Sequence, residues 1–385
     1  MDDRAVIVQE YIYRTAVRLV VTGGCRVAEL ALRDYEASAR ERLSGPVWDF
    51  LEGGSGTESM LTSGRDALDR LRLRPRCLVD VSACDPGTTL LGARLAVPLG
   101  IAPVAYHQLA HPEGEVATAR AAGAVGALLT VSMFASRTIE DIAAAATGPL
   151  WLQLYWLKRR ESMIDLVRRA ENAGFRALVL TVDAPVVAHR PRDARNGFAV
   201  PAGIRAVNVD PSVMSASHEA EAGESAIARH SREQFDPSIT WEDLEWLRGR
   251  TSLPLVLKGV LSGEDAVRAV ECGIEGLVVS NHGGRQLDFA LPAADALPEI
   301  AEAVAGRCRL ILDGAVRHGA DIAKGLCLGA DAVFVGRPAL WGLAHSGSDG
   351  AEAVLRTLRD EFTEVMALMG APRVSDFRSS GIVRR

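Results

Sequence analysis

Short runs of apolar residues recur along the chain from about residue 98, each followed by a polar or glycine-bearing turn and an Ala-rich segment of helical period. Eight such runs occur, at 99–103, 127–132, 150–155, 177–183, 254–259, 276–281, 309–314 and 332–337. They are continuous rather than alternating, which is typical of parallel strands covered on both faces. Helical periods between them, as in 162–174, 262–273 and 319–329, end in glycine. Eight strand–helix units in a row predict an α/β fold, a (β/α)8 TIM barrel with its core over about 98–345.

The interval between the fourth and fifth runs, residues 184–253, is much longer than the others. It is rich in Ser, Ala, Glu and His, as in the stretch MSASHEAEAGESAIARHSREQ. In a barrel, the loop after a strand lies over the C-terminal mouth, where active sites are built. We therefore expect a long loop with helices that acts as an active-site lid. A solvated insertion without a role is the alternative.

The chain before the first run also has a helical pattern. Residues 28–44 are amphipathic, and a glycine-rich turn, GGSGTE, separates them from a helix-like run that ends at Leu71. We expect an N-terminal helical cap at the bottom or edge of the barrel, within one domain that covers 28–385. Residues 1–27 show no clear pattern, and we expect them to form a peripheral extension.

Composition narrows the class of partner. The 385 residues are 48% hydrophobic with a formal net charge of −6, which excludes a disordered or collagen-like chain. No block of Lys and Arg suits nucleic acid or an anionic membrane, and no apolar run approaches the roughly 20 residues that span a bilayer. The six cysteines are scattered without a CxxC pair, and no signal-peptide pattern is present. We expect a cytoplasmic protein with buried free thiols and small-molecule partners.

Two stretches imitate known motifs without meeting their requirements. GGSGTES at 53–59 lacks the third glycine of GxGxxG and does not follow a strand, so a dinucleotide site is not predicted. HPEGE at 111–115 lacks the HExxH spacing of zinc sites, and no cluster of Cys and His accompanies it. We predict no metal.

Polar side chains follow the predicted strands at their carboxyl ends. SNHGGRQLD, after the sixth run, places His282 near Arg285; an imidazole takes up a proton near neutral pH, and a guanidinium offers a planar fork to a carboxylate. TVDAPVVAHRPRD, after the fourth run, supplies Asp183, which can hold the tautomer of His282, and a second cation, Arg190. Because these ends meet at one mouth, they predict a site for an anionic acid that loses a proton.

Other strand ends indicate a cofactor. Lys258 follows the fifth run, where it could form a Schiff base or act as a fixed positive charge beside an electron-rich group. The third run carries Gln153 and Tyr155. The last two runs end in DGAVRHG and VGRP, where barrels bind phosphate through backbone N–H groups and a helix N-terminus. We therefore expect a phosphorylated cofactor near Asp313, Arg317, Gly336 and Arg337.

These motifs resemble those of the FMN-dependent α-hydroxy acid oxidases and dehydrogenases. The likeness is carried by SNHGGRQLD, APVAYHQLAHPEGEVATARAA, QLYW, LTVDAP, LPLVLKGV and LDGAVRHGADIAKGLCLGADAVFVGRP, and it covers about residues 28–370. It implies FMN as cofactor and the two-electron oxidation of an L-2-hydroxy acid to a 2-oxo acid, with O2 reoxidising the flavin to give H2O2. A homo-oligomer, a tetramer in the family, is implied as well.

The resemblance also implies residue roles. His282 is the expected base, Asp183 its partner, Arg190 and Arg285 the carboxylate clamp, and Tyr155 a substrate contact. The residues expected to bind FMN are Val104, Ala105, Ser132, Gln153, Thr181, Lys258, Ser280, Asp313, Gly314, Arg317, Gly336 and Arg337. Lys258 matches the cation near N1 and O2 of the ring. Whether the α-hydrogen leaves as a proton or as hydride stays open.

Departures from the family pattern indicate the substrate. Phe50 stands where many members have a tyrosine, and Phe134 where glycolate oxidase-like members have a tryptophan. With Tyr106 and Met133 they predict an apolar pocket for an aryl side chain, and the segment VWDFLEGGSGTE is most similar to members that oxidise 4-hydroxymandelate. We expect a mandelate-type substrate. A lactate- or glycolate-type oxidase, a quinone-linked dehydrogenase and a catalytically silent barrel are the alternatives.

Overall fold

The strands predicted from the apolar runs are present in the computed structural model, which describes residues 31–209, 226–379 and 381–384. The strands are β1 Leu71–Leu73, β2 Thr88–Leu90, β3 Ala93–Leu95, β4 Leu99–Ile101, β5 Leu128–Ser132, β6 Leu150–Leu154, β7 Leu178–Thr181, β8 Leu255–Val260, β9 Gly276–Val279, β10 Arg309–Asp313, β11 Ala332–Val335 and β12 Ile382–Arg384. Strands β4 to β11 close into one parallel barrel, with β11 paired to β4. The predicted TIM barrel is confirmed, and each of the eight runs coincides with one barrel strand to within a few residues.

Helices connect the barrel strands and cover their outer face. They are α1 Leu32–Arg42, α2 Gly45–Glu52, α3 Ser59–Asp69, α4 Glu115–Val125, α5 Ile139–Ala145, α6 Arg160–Asn172, α7 Pro191–Asn196, α8 Ala226–Gln234, α9 Glu242–Arg248, α10 Gly263–Glu271, α11 Ala293–Val304, α12 Gly319–Cys327 and α13 Arg337–Met369. The α13 backbone leaves helical geometry at Ser346 and Gly347. Among the described residues, no helix is long and apolar enough to cross a membrane.

The interior of the barrel is filled by large apolar side chains from alternate positions of its strands. Trp151 and Phe334 are fully buried there, with ring centroids 5.8 Å apart. Gly100 on β4 leaves room for them, because a Cβ at this position would lie 2.4 Å from the Phe334 ring. Leu90 and Leu95 of the antiparallel β2–β3 hairpin complete this cluster. The hairpin closes the N-terminal end of the barrel and was not predicted from the sequence.

The segment before the barrel reaches its C-terminal mouth. The Ser55 N–H donates to the Gly284 carbonyl at 3.0 Å, and the Gly56 N–H donates to the His189 carbonyl at 3.1 Å. These partners belong to the loops after β9 and β7, so the prediction that this segment caps the bottom or edge of the barrel is wrong for residues 50–58. Helix α1 packs against α13 on the side of the barrel. Residues 1–30, including the predicted extension, lie outside the described residues.

The long interval between β7 and β8 carries α7, α8 and α9, and residues 210–225 of it lie outside the described part of the chain. Its side chains His230, Ser231 and Phe235 line the cleft at the barrel mouth. The predicted position over the mouth is therefore confirmed, while movement as a lid stays a prediction. The five cysteines that the structure describes are free, but only Cys308 is buried, and Cys77 is exposed, so the prediction of buried thiols is wrong for most of them.

Candidate active site

A cleft of about 1220 Å³, partly open to solvent, lies at the carboxyl ends of the barrel strands. Most of the residues selected from the sequence line it. These are Val104, Ala105, Ser132, Tyr155, Arg190, Lys258, His282, Arg285, Asp313, Gly314, Arg317, Gly336 and Arg337. The other selected residues lie behind this lining. Gln153, Asp183 and Ser280 are hydrogen-bonded to it, and Thr181 is hydrogen-bonded to Gln153.

His282 and Asp183 form a hydrogen-bonded pair at the cleft. Nδ1 of His282 lies 2.9 Å from Oδ1 of Asp183, which leaves Nε2 on the other side of the ring. His282 has a φ of 57°, an uncommon value for a non-glycine residue, and its own N–H donates to Ser280 Oγ at 3.1 Å. Burial, Lys258 and Arg190 hold the pKa of His282 below its usual value against the attraction of Asp183. The imidazole is therefore neutral at pH 7 and able to accept a proton.

Asp183 remains ionised beside this imidazole. Burial raises the pKa of its carboxyl, but the attraction of His282 and of the Lys258 ammonium outweighs burial, so the pKa lies below the usual range. Gly259 follows Lys258 with a φ of +107°, and a Cβ there would lie 2.4 Å from the Asp183 side chain. The absence of a side chain at Gly259 thus makes room for the carboxylate.

Two arginines face the cleft with their charges incompletely balanced. Nη1 of Arg190 lies 3.9 Å from Asp193, and the buried Nε of Arg190 has no hydrogen-bond partner among the described residues. Nη1 of Arg285 donates to the Gly53 carbonyl at 2.6 Å. Burial and the charges of Arg190 and Arg337 hold the pKa of Arg285 well below its usual range. Repelling guanidinium groups of this kind form a strong site for an anion.

Lys258 supplies another buried cation. Its ammonium donates to Ser280 Oγ at 3.0 Å and lies 3.6 Å from Asp313. Burial lowers the pKa of Lys258, but the Asp313 and Asp183 carboxylates outweigh it and raise the pKa above the usual value. The ammonium is therefore protonated, which disfavours the Schiff base left open by the sequence, since that chemistry needs a neutral amine.

Polar groups continue along two sides of the cleft. Ser132 Oγ donates to Gln153 Oε1 at 3.2 Å, and Gln153 Nε2 donates to Thr181 Oγ1 at 3.0 Å, which fixes the orientation of the amide. At the other side, the buried Asp313 Oδ1 has no hydrogen-bond partner among the residues described. Burial and Arg337 lower the pKa of Arg317 to about 10. The unpaired Asp313 oxygen indicates a hydrogen-bond donor at this end of the cleft, and the two neighbouring guanidinium groups indicate an anion.

Arg337 lines the cleft and also makes several hydrogen bonds to backbone carbonyls. Its guanidinium donates to the carbonyls of Leu51 at 3.1 Å, Gly283 at 3.0 Å and Glu52 at 3.2 Å. It therefore ties the N-terminal segment to the loop after β9, in addition to lining the cleft. Gly336, which precedes it, begins the long helix α13, so backbone N–H groups also face this end of the cleft.

Aromatic rings form the remaining wall. Phe134 stacks on Tyr155 with centroids 5.6 Å apart, and Phe235 stacks on Tyr155 at 4.6 Å. Phe50 also lines the cleft and lies under the Arg285 guanidinium at 5.3 Å. Met133 was expected in this wall, but it is fully buried behind the cleft, where its sulfur lies 3.1 Å from the Tyr155 N–H. Tyr106, also expected, does line the cleft.

Comparison with known proteins decides the family. Residues 39–384 match the model of the FMN-dependent dehydrogenases. The chain belongs to this family. The 4-hydroxymandelate oxidase of Amycolatopsis orientalis is 47% identical over 349 residues, which cover 91% of this chain and 97% of that protein. An L-lactate oxidase of Nostoc sp. is 45% identical over 91% of this chain and 96% of its own length.

A solved structure extends this likeness to three dimensions. A crystal structure of mandelate oxidase with (S)-4-hydroxymandelic acid superposes with a TM-score of 0.90 at 46% identity, covering 92% of this chain and 99% of that one. The implied resemblance to an FMN-dependent family is thereby confirmed over most of the length. As an FMN-dependent dehydrogenase, this chain is expected to retain the means of holding a flavin and its phosphate.

The donor set of the cleft fits FMN. The unpartnered Asp313 Oδ1 matches a ribityl hydroxyl, and Arg317 with the start of α13 matches the phosphate. Lys258 supplies a cation and the oriented Gln153 amide supplies a donor and an acceptor, which are the kinds of group that suit a flavin ring. These features come from four different strands, and the barrel brings them to one mouth.

Three residues of the site were missed from the sequence. His230 and Phe235 line the cleft from the interval after β7, whose pattern offered no local signal for individual contacts. Asp193 is 1% exposed beside Arg190, and burial raises the pKa of its carboxyl in spite of Arg285 and Arg190. Its position three residues after Arg190, on the first turn of α7, could have suggested the contact.

Proposed function

We propose that this protein is an FMN-dependent oxidase of (S)-2-hydroxy acids that produces the corresponding 2-oxo acid, with an aromatic acid such as mandelate or 4-hydroxymandelate as substrate and O2 as final electron acceptor. One observation carries the proposal. The His282–Asp183 pair converges on one aromatic-walled cleft with Arg190 and Arg285, whose charges the protein does not fully neutralise. The identity to 4-hydroxymandelate oxidase supports the aromatic assignment.

The carboxylate of the substrate binds between Arg190 and Arg285. Both guanidinium groups line the cleft, and each lacks full charge compensation from the protein. A carboxylate in this place relieves the repulsion between them and accepts charge-assisted hydrogen bonds. The clamp fixes the pose of the substrate, so that its α-carbon and hydroxyl lie near His282 and Tyr155. Burial raises the pKa of Tyr155, so its hydroxyl stays protonated and donates to the substrate.

His282 accepts a proton from the bound hydroxy acid through Nε2. Nδ1 is held by Asp183 at 2.9 Å, so the ring cannot turn, and the carboxylate stabilises the imidazolium that forms. Bound FMN supplies the two-electron acceptor for this oxidation. Lys258 contributes a fixed positive charge on that side of the cleft, which stabilises negative charge as it develops there.

FMN is held by the residues selected from the sequence. The ring is bound by Ser132, Gln153, Thr181, Lys258 and Ser280, with the backbone at Val104 and Ala105. These residues line the cleft or belong to the hydrogen-bond network directly behind it. The ribityl chain and phosphate are held by Asp313, Gly314, Arg317, Gly336 and Arg337. The carbonyl contacts of Arg337 support a shared role for it, as a cation near phosphate and as an anchor for residues 51–53.

The aromatic wall supports an aryl substrate. Phe134 and Phe235 give the cleft apolar surface, to which Phe50 adds a ring beside Arg285, and stacked rings favour a further ring among them. A lactate or glycolate side chain would leave that surface without a partner. We expect this difference to appear in the rate of substrate oxidation rather than in whether FMN binds.

Anaerobic reduction of the bound flavin tests the proposal. Mandelate and 4-hydroxymandelate should bleach the flavin absorbance of the purified protein faster than lactate or glycolate do. Admission of O2 should restore the absorbance and yield one H2O2 per substrate, whereas restoration only by a quinone would indicate a dehydrogenase. Faster bleaching by lactate than by either aryl acid would contradict the assignment of the substrate.

We also propose that residues 28–385 act as one catalytic domain, and that the protein works in the cytoplasm as a homotetramer. The family match over 39–384 supports the single domain, and the family resemblance supports the assembly. Light scattering on the purified flavoprotein gives its mass in solution; a mass of one chain at working concentration would contradict the tetramer.

A further inference from the structure

His230 is a buried polar side chain that the chemistry described above does not use. It lies on α8 in the interval between β7 and β8, is 2% exposed and lines the cleft. Neither of its ring nitrogens has a hydrogen-bond partner among the described residues, although both are shielded from solvent. Buried polar groups of folded proteins are nearly always hydrogen-bonded, so two unpaired nitrogens at a binding cleft indicate a missing partner.

The ring contacts of His230 place it on the aromatic wall of the cleft. Tyr155 is close enough to Arg190 and Arg285 for their charges to lower its pKa against burial. Phe134 stacks on Tyr155 with centroids 5.6 Å apart, and His230 meets Phe134 at 5.5 Å with its ring inclined by 76°. His230 therefore shares with Tyr155 a contact to Phe134, while Tyr155 is the member of this group that lies near the arginines.

The imidazole of His230 offers one donor and one acceptor. Burial lowers its pKa to about 4, in spite of the nearby Glu233, so the ring is neutral at pH 7. A neutral imidazole carries a proton on one nitrogen and a lone pair on the other. A hydroxyl group both donates and accepts a hydrogen bond, so it can pair with either ring nitrogen of His230. A charged group on the substrate would not be favoured in this apolar environment.

We propose that His230 is a specificity-determining residue, whose imidazole hydrogen-bonds a hydroxyl group carried at the far end of an aromatic 2-hydroxy acid. The proposal rests on the function proposed above, because the carboxylate must bind at Arg190 and Arg285 for the ring to extend toward His230. A site built to hydrogen-bond a substrate hydroxyl discriminates strongly against the analogue that lacks it, since the site's own polar group is then left unpaired. The protein therefore prefers 4-hydroxymandelate to mandelate.

The variants His230→Phe and His230→Gln test this role. The phenylalanine keeps an aromatic ring against Phe134 but removes both nitrogens, and the glutamine keeps a donor and an acceptor. We expect His230→Phe to lower kcat/KM for 4-hydroxymandelate about tenfold or more and to change kcat/KM for mandelate by less than about threefold. His230→Gln should retain part of the preference. An unchanged ratio of the two kcat/KM values in His230→Phe, or an equal fall for both substrates, would overturn the proposal.

A binding measurement separates this proposal from the proposed function. Benzoylformate and 4-hydroxybenzoylformate are the 2-oxo acids of the two substrates, and their binding is followed by the change in flavin absorbance without turnover. We expect the wild-type protein to bind the hydroxylated acid more tightly, and His230→Phe to abolish the difference. Equal affinities in the wild type overturn the role of His230, even where both aryl acids reduce the flavin. Reduction by lactate alone contradicts the aromatic function instead, and the binding result still decides on His230.

Discussion

At the scale of the residue, His282 combines a strained backbone with a fixed side chain. Its φ of 57° and the hydrogen bond of its N–H to Ser280 turn the imidazole toward the cleft, and Asp183 holds the ring. Strained backbone of this kind is retained where surrounding structure determines it, and it is common at functional sites. The backbone at His282 and the carboxylate of Asp183 thus together fix the orientation of the imidazole.

Replacing His282 by alanine tests its role as the base. We expect the rate of flavin reduction by the substrate to fall by about 10²–10⁴-fold, because a positioned general base contributes an acceleration of this order. The flavin content should stay normal, because the FMN contacts proposed above come from other side chains. Stopped-flow absorbance gives the rate, and the visible spectrum of the purified variant is the control. A variant that loses its flavin would indicate a structural role instead.

The pH dependence of the same reaction follows from the lowered pKa of His282. Only the neutral imidazole accepts a proton, so kcat/KM should rise with pH through the pKa of His282 in the free enzyme and become constant above it. Because burial lowers that pKa, the inflection should lie below the ordinary histidine value of about 6.5. In Asp183→Asn the inflection should move to lower pH, since Asp183 raises the pKa of His282. An inflection above 6.5 in the wild type would contradict this environment.

The residues at the end of β5 illustrate one correct and one wrong prediction from the sequence. Ser132 and Phe134 line the cleft, while Met133 between them points behind it. Strand β5 ends at Ser132, and Met133 and Phe134 lie in the turn that follows it. The expectation that Met133 joins Phe134 in one wall did not take account of this turn, which sends the two side chains to different places. The strand-end residues were placed correctly, because parallel strands bring their carboxyl ends to one edge.

At the scale of the element, the end of β8 shows how local backbone shape creates the site. The pairing of β8 with β9 shifts between Lys258 and Val260, and Gly259 between them has a φ of +107°. This irregularity lets Lys258 project into the cleft and leaves space for Asp183. A bulge at the rim of a barrel often redirects a functional side chain in this way.

Gly259→Ala should damage the site through this element. The new Cβ would lie 2.4 Å from the Asp183 side chain, and the positive φ disfavours any residue except glycine. We expect a loss of about 1–3 kcal/mol in the free energy of unfolding, and slower flavin reduction because Asp183 is displaced from His282. Gly249→Ala is the matched control, since it has a φ of −68° and no atom closer than 3.7 Å to the new Cβ. Equal effects of the two substitutions would contradict the argument.

Elements that lack a periodic pattern were the ones the sequence could not place. The β2–β3 hairpin that closes the barrel has three residues in each strand, too few to show alternation. The contacts of Ser55 and Gly56 with the mouth join segments far apart in the chain, and nothing in the local sequence reports such pairings. His230 and Phe235 are missing from the sequence-based site for the same reason.

At the scale of the whole molecule, the cleft concentrates positive charge that the protein itself does not neutralise. Arg190, Arg285 and Arg317 all have lowered pKa values, with burial as the first cause and neighbouring cations as a further one. The chain nevertheless carries a formal net charge of −6, so the positive region is local. Anionic ligands therefore stabilise the folded state as well as binding to it.

Removal of FMN should lower the thermal stability, because the cations of the cleft are then left without an anionic ligand. The apoprotein should unfold several degrees below the holoprotein, because a ligand present at about 100 times its Kd adds about 2.7 kcal/mol. Riboflavin, which lacks the phosphate, should restore less of the Tm than FMN at equal concentration. Scanning calorimetry at a fixed heating rate measures the three values. Equal restoration by riboflavin would contradict a contribution from the cations near Arg317.

In the proposed binding mode, the guanidinium groups of Arg190 and Arg285, which both line the cleft, hold the substrate carboxylate, a group that oxidation leaves unchanged. A hydroxy acid and the keto acid made from it offer the same carboxylate to those groups. The arginines therefore hold the keto acid by the same contacts as the hydroxy acid, and oxidation does not weaken these contacts. The keto acid competes with the hydroxy acid for the same site. Progress curves should slow as the keto acid accumulates, and added keto acid should raise KM without changing kcat.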